Sequence, residues 1–204
     1  MHITSLQVGP IMTNCYLLCD ETAQVCALID PGDDALRVEQ MVAQSGCTLQ
    51  YILLTHGHFD HTSAVRPLLE KYPDVPVYIH EKDAADTERG ELLFRKVGPE
   101  NQRFYKEGDT LPLGSLTIRV LETPGHTPGS VCLLCENVLF SGDTLFAGSC
   151  GRVDLAGGVP AQMGTSLKRL AELPGNYAVL PGHGPATTLD AERADNPYLR
   201  EVMA

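Results

Sequence analysis

Five of the seven histidines stand where an apolar stretch runs into a glycine-containing turn or just beyond it: His56, His58, His61, His126 and His183. This placement constrains the fold more than any other feature of the chain. In an open α/β sheet the loops that leave the strand ends converge on one edge, so residues distant in sequence meet there on a rigid support. Glycine stands beside the histidines in three of these turns, as Gly57, Gly125 and Gly182, where it permits positive φ or close approach of the backbone to a ligand. A fold that gathers strand ends at a common rim is required if the histidines act together.

The densest stretch is Thr55-His56-Gly57-His58-Phe59-Asp60-His61, with three imidazoles and one carboxylate within six consecutive residues. All are metal-ligand types. Histidines two apart in an extended turn project to one side and can hold one ion. Asp60 and His61, at the start of the next helix, aim at a neighbouring position, so two adjacent ions are expected. A capping carboxylate followed by a polar loop would account for a single HxH, but clustered imidazoles without a partner are costly to desolvate. Three later sites each place one more ligand type at a strand end: His126 in TPGHTPG, Asp143 in FSGDT and His183 in PGHG. Five histidines with Asp60 and Asp143, one carboxylate bridging, give each of two ions about four protein bonds or fewer and leave positions for water. A structural zinc site is normally saturated by four ligands, often cysteines, so this oxygen- and nitrogen-rich set points to catalysis.

The remaining pattern fits alternating strands and helices. Apolar stretches at 3–8, 15–19 and 25–29 read as a β-meander, and a helix with Leu36, Met41 and Val42 on its apolar stripe stops at Gly46. A doubly buried strand at 51–54, a helix at 62–71, a strand at 76–79 and a helix at 81–89 follow. Residues 90–110 break the rhythm and read as a surface excursion with Phe94, Phe104 and Tyr105 exposed. Strands return at 116–121, 130–135 and 138–140, then a glycine-rich loop at 147–158, a helix at 162–173, a strand at 177–180 and a last helical turn at 189–194. The strand-to-histidine passages ending in THGH and PGHG echo one another, as two related halves would. No linker divides the 204 residues, and one domain spanning 1–204 is expected.

Composition removes several classes of function. With 26 acidic residues against 15 basic ones the net charge is −11, which disfavours nucleic acid and anionic lipid as partners. No apolar run approaches the roughly 20 residues of a membrane span, and the N-terminus lacks a basic segment followed by an apolar core, so a cytoplasmic address is expected. Seven cysteines without a repeating spacing fit reduced thiols, and Cys132-x-x-Cys135 lies inside a strand that turns residues three apart to opposite faces.

The string HGHFDH, with PGHTPG, SGDT and PGHG downstream, resembles the metallo-β-lactamase superfamily and within it the glyoxalase II-like hydrolases; the segment 142–152 resembles that branch as well. The resemblance implies a four-layer αββα sandwich of two mixed β-sheets flanked by helices. It assigns His56, His58 and His126 to one divalent ion, Asp60, His61 and His183 to the other, and Asp143 to both. Zinc is the expected metal, with iron or manganese as alternatives. It further implies hydrolysis of a thioester, such as an acylglutathione-like substrate, by a hydroxide held between the ions, with Asp60 orienting it. A thiolate departs without a general acid because its thiol has a pKa of about 8.5. Only 21 residues follow His183, too few for the helical domain that helps hold glutathione in that family, so the thiol partner is open. Arg152, Arg89, Arg95, Lys96 and Arg103 are candidate contacts for an acidic thiol conjugate. His2 and His80 read as ordinary residues, and Tyr198 as packing the C-terminus. The alternative function is a persulfide dioxygenase of the same superfamily with one iron on His56, His126 and Asp143. The oligomeric state is open.

Overall fold

A computed structural model of the protein describes residues 1–84, 94 and 96–204. The chain opens with β1 (His2–Val8), β2 (Thr13–Asp20) and β3 (Val25–Ile29), then α1 (Ala35–Ser45), β4 (Thr48–Leu53), α2 (Phe59–Thr62), α3 (Val65–Lys71), β5 (Val77–His80), α4 (Glu81–Ala84) and β6 (Gln102–Tyr105). It continues with β7 (Thr110–Leu113), β8 (Leu116–Glu122), β9 (Val131–Cys135), β10 (Val138–Gly142), the short hairpin β11 (Leu145–Phe146) and β12 (Ser149–Cys150), α5 (Pro160–Ala171), β13 (Ala178–Pro181), β14 (Thr187–Thr188), α6 (Leu189–Asp195) and α7 (Pro197–Met203). One sheet has the order β1-β2-β3-β4-β5-β6 and the other β14-β13-β10-β9-β8-β7. Each is mixed: β1 to β3 are antiparallel and β3 to β6 parallel, while in the second sheet only β10 and β13 run parallel.

Period-two alternation divides the apolar residues among three cores. Along β2, Cys15, Leu17 and Cys19 face the helices outside the first sheet, while Tyr16 and Leu18 face the second sheet. Along β10, Val138 and Phe140 point between the sheets and Leu139 points to the outer helices. The result is helices, sheet, sheet, helices, the four-layer sandwich the sequence implied. Each fully buried large apolar side chain contributes roughly 1.5–3 kcal/mol. Cys132 faces the helical core and Cys135 the inter-sheet core, so this CxxC forms no pair, and all seven cysteines are free.

Several local expectations change. Residues 102–105 form an edge strand, not a loop, with the other sheet's edge strand starting at Thr110, and Phe94 and Tyr105 are buried. Gln102-Arg103-Phe104 carries little apolar pattern because β6 has one neighbour only; its parallel pairing with β5 and the Tyr105 hydroxyl, which donates to the Leu54 carbonyl, fix it. Phe104 is exposed, as expected. The helix expected at 62–71 is split into α2 and α3, because the Ala64 amide donates to the Pro31 carbonyl and Pro67 has no amide to offer. On α1, Val38, Met41 and Val42 are buried and Leu36 is exposed. α4 begins the helix expected at 81–89, of which 85–89 lie outside the described residues. Beyond α6 a further helix, α7, is capped by the Asn196 side chain, and it is Leu199, not Tyr198, that packs inward.

Candidate metal centre

Four parallel strand ends set the site. β3 and β4 run in register to Ile29 opposite Leu53, so Asp30 and the Thr55-His56-Gly57-His58 turn leave the first sheet at one rim. β10 and β13 are in register at Gly142 and Pro181, so Asp143 and His183 leave the second sheet side by side. His126 comes from the turn between β8 and β9. The sheets are tied together here: the Asn14 amide donates to the Gly182 carbonyl at 2.7 Å, and the Val131 amide to the Thr55 carbonyl at 2.8 Å. Gly182 must lack a side chain, since a Cβ there would lie 2.2 Å from Asp143 Oδ1 and 2.6 Å from His61 Cε1.

All seven candidate ligands meet at this rim. His56, His58 and His126 bring one nitrogen each to within 4.8 Å of one another, and Asp60, His61 and His183 do the same with two nitrogens and an oxygen. Asp143 lies between the groups, with Oδ1 3.4 Å from His61 Nε2 and Oδ2 3.4 Å from His126 Nε2 and 3.6 Å from His183 Nε2. Asp60 and His61 sit on α2 as expected, and Asp60 Oδ2 accepts from the Thr13 hydroxyl at 3.1 Å.

Hydrogen-bond partners fix which nitrogens face inward. His126 Nδ1 is 2.7 Å from the Arg152 carbonyl, which can only accept, so this nitrogen carries the proton and Nε2 a lone pair. His61 Nδ1 is 3.0 Å from Asp30 Oδ2. His56 Nδ1 is 3.1 Å from Thr55 Oγ1, whose own hydrogen goes to Asp30 Oδ2 at 2.6 Å. His58 Nδ1 then faces two lone-pair nitrogens, His56 Nε2 at 3.1 Å and His126 Nε2 at 2.9 Å. One N–H on His58 Nδ1 could serve only one of the two, whereas a cation among the three nitrogens would satisfy all of them. Asp143 Oδ1 is buried and accepts no hydrogen bond, a costly state unless a cation neutralises it. The donor set therefore fits two divalent ions, nitrogen-rich on one side and mixed on the other.

Histidines of the two groups are shifted in opposite directions. Burial, with the neighbouring imidazoles of His61, His126 and His58, holds His56 well below the ordinary histidine value. Burial and then His126 and His61 bring His58 down to about 4. For His61 burial acts in the same direction, but Asp143, Asp30 and Asp60 outweigh it and push the ring up to about 9. His183 is raised, because its bond to Asp60 and the charge of Asp143 overcome burial. Asp60 is lowered despite burial by His183, His61 and Thr13.

A cleft of about 510 Å³ opens onto His58, Asp60, His126, Asp143 and His183. Ile11, Phe59, Phe146 and Leu155 form its apolar wall, and Ser149, Cys150 and Arg152 line it as well. Arg152 is the one candidate cation that lines it among the described residues, and its guanidinium is held by Asp154 at 2.7 and 2.8 Å. Lys96 borders a different pocket, Arg103 donates to the carbonyls of Pro99 and Gln102, and Arg89 and Arg95 lie outside the described residues. His80 pairs with Glu122 and His2 contacts Thr4, both away from the cluster.

Sequence reasoning missed Asp30, Thr13 and Asp83. Asp30 sits at φ 51°, in the left-handed region, which turns its carboxylate back toward Thr55 and His61. Its signal was an acid directly after a strand, hidden by the adjoining Pro-Gly turn.

Comparison with known proteins gives this geometry a family. The sequence profile of the Metallo-beta-lactamase superfamily matches residues 8–183. The chain belongs to the metallo-β-lactamase superfamily. It is 31% identical over 98% of its length to the hydroxyacylglutathione hydrolase GloC of Haemophilus influenzae, of which it covers 98%. Two solved structures share the fold across the chain. BLEG-1, a B3 metallo-β-lactamase, superposes with a TM-score of 0.86 at 34% identity, covering 97% of this chain and 99% of that one. TTHA1623, solved in a di-iron-bound form, superposes with a TM-score of 0.82 at 40% identity, covering 96% and 99%. As a member of this superfamily with clustered histidine and aspartate ligands, the protein is a metal-dependent hydrolase.

Proposed function

We propose that this hydrolase is dinuclear and cleaves the thioester of a small acyl conjugate of an acidic thiol, an acylglutathione-like substrate. His56, His58 and His126 would hold one ion and Asp60, His61 and His183 the other, with Asp143 available to both. Zinc suits this mixture of imidazole and carboxylate, and iron or manganese are alternatives; the di-iron form of TTHA1623 keeps iron in view. When bound, two such ions supply a nucleophilic water near neutral pH and polarise the acyl oxygen.

The chain's own residues then account for the choice of leaving group, and this is the observation that carries the reading. Every cleft residue able to exchange a proton near neutrality belongs to the ligand set. The other polar side chains of the cleft among the described residues are Ser149, Cys150 and Arg152. Burial raises the Cys150 thiol and the Asp154 carboxylate raises Arg152, so neither releases a proton near neutrality. An amine leaving group needs such a proton, whereas a thiolate does not. Asp60, held by Thr13 and close to His183 at 3.2 Å, is placed to orient the attacking water. The apolar wall excludes bulk water from the acyl group, and Arg152 at the cleft mouth is the contact offered to an acidic thiol. The name of the Haemophilus influenzae relative, which aligns over nearly the whole of both chains, supports the same substrate class. Seven free thiols suit a reducing cytoplasm, and a net charge of −11 suits neither nucleic acid nor an anionic membrane.

The test is turnover by the metal-loaded chain of a panel of acylglutathiones, a hydroxyacyl member included, beside a β-lactam and, under oxygen, glutathione persulfide. Thiol release that a chelator abolishes is expected. Turnover of the β-lactam without the thioesters, or oxygen uptake with the persulfide on one iron per chain, overturns the reading.

A further inference from the structure

Asp83 lies on α4, outside the ligand set, and is buried. Its carboxylate reaches into both loops that supply the all-histidine group. Oδ2 accepts from the Gly57 amide at 2.9 Å, between His56 and His58, and from the Thr127 hydroxyl at 2.6 Å, next to His126. Oδ1 accepts from the Gly129 amide at 2.7 Å. Both loops make room for it: a Cβ on Gly129 would lie 2.6 Å from Asp83 Oδ1, and one on Gly57 would lie 2.9 Å from the Asp83 carbonyl oxygen. Thr127 is itself held by Ser130, whose hydroxyl accepts from the Thr127 amide at 3.1 Å.

We infer that Asp83 is a positioning residue for the ion of His56, His58 and His126, clamping the 56–58 turn to the 126–129 turn so that three nitrogens from two loops meet at one point. The inference rests on the two-ion reading above and not on the identity of the substrate. Its selectivity follows from the contacts. The open group takes Asp60 and His61 from α2 and His183 from the turn after β13, and none of the hydrogen bonds of Asp83 reaches those elements. Thr13 serves Asp60 there, and Asp30 serves both groups, holding His61 directly and His56 through Thr55. A buried carboxylate that accepts three donors is also not replaceable by its amide, because an Asn would turn an N–H toward at least one donor. Partners that orient ligands from outside the coordination set are worth about 10- to 100-fold in metal affinity.

The experiment strips the full-length chain with a chelator and titrates it with cobalt(II), following the absorption bands, then repeats the titration with zinc against a competing chelator. In Asp83→Asn one ion is expected to bind as in the wild type and the other about 10- to 100-fold more weakly. Thr127→Val removes one of the three donors and is expected to give the same selective loss at smaller size, which keeps the inference testable should Asp83→Asn fail to fold. Equal weakening of both ions, or unchanged affinity for both, overturns the role. A wild-type chain that takes up one ion breaks the two-ion reading instead, and unchanged affinity for that ion in the variants overturns the role of Asp83 as well.

Discussion

His56, His58 and His126 offer three nitrogens from buried rings, whereas Asp60, His61 and His183 offer two nitrogens and an oxygen, with the Asp60 and His183 side chains 15% and 24% exposed. The first group contains no carboxylate, and its His56 and His58 rings are held below the ordinary histidine value. The second gathers carboxylates, and its histidines are held above that value. One group therefore forms a buried set of three nitrogens that a cation would join. The other opens toward the cleft, where substrate and water arrive. Asp143 lies between the two, and its buried Oδ1 has no hydrogen-bond partner among the described residues.

The sharpest way to break this comparison is Asp143→Asn. Removing the shared carboxylate is expected to cost at least one ion and several kcal/mol of transition-state stabilisation, more than about 100-fold in kcat/KM. Elemental analysis and thioester turnover read the loss, and circular dichroism should show the fold retained; surviving activity would remove the bridging role. A smaller and more selective effect is expected from Thr13→Val, which withdraws the hydroxyl that donates to Asp60 Oδ2. Affinity at the open group should fall about 10- to 100-fold, as chelator competition would show, and an equal fall at both groups would erase the distinction between them.

The smallest effect concerns pH in the metal-free chain. His58 is held near 4, below the unfolded value of 6.5, so the unfolded chain binds the extra proton and stability rises with pH between those values. His61 is held near 9, so its contribution is complete below 6.5 and disappears as pH rises through about 9. Urea midpoints of metal-free protein should therefore pass through a maximum between these limits. With ions bound the ligand imidazoles take up no proton while those of the unfolded chain still do, so the rise below about 6.5 should steepen and the fall toward 9 should disappear.

Much of this organisation was legible in the chain. The HGHFDH string, with His126, Asp143 and His183 each set after a strand, announced a shared rim, because glycine turns at strand ends have a strong local signature. The sandwich was legible through the family resemblance those motifs carry, with which the order of strands and helices agreed. Asp30 and Asp83 were not, since their work is to accept hydrogen bonds from residues 25 to 46 positions away, and nothing in their neighbours marks it. β6 escaped because an edge strand need bury only one face, and Tyr105 alone carries its inward packing. The break between α2 and α3 depends on the Pro31 carbonyl, a tertiary contact no helical period reveals.

The most direct test of the central claim is the number of metal ions per chain in freshly purified, catalytically active protein, measured by elemental analysis. Two divalent ions per chain are expected, falling to one or none in Asp143→Asn. A fully active chain holding a single ion would contradict the account.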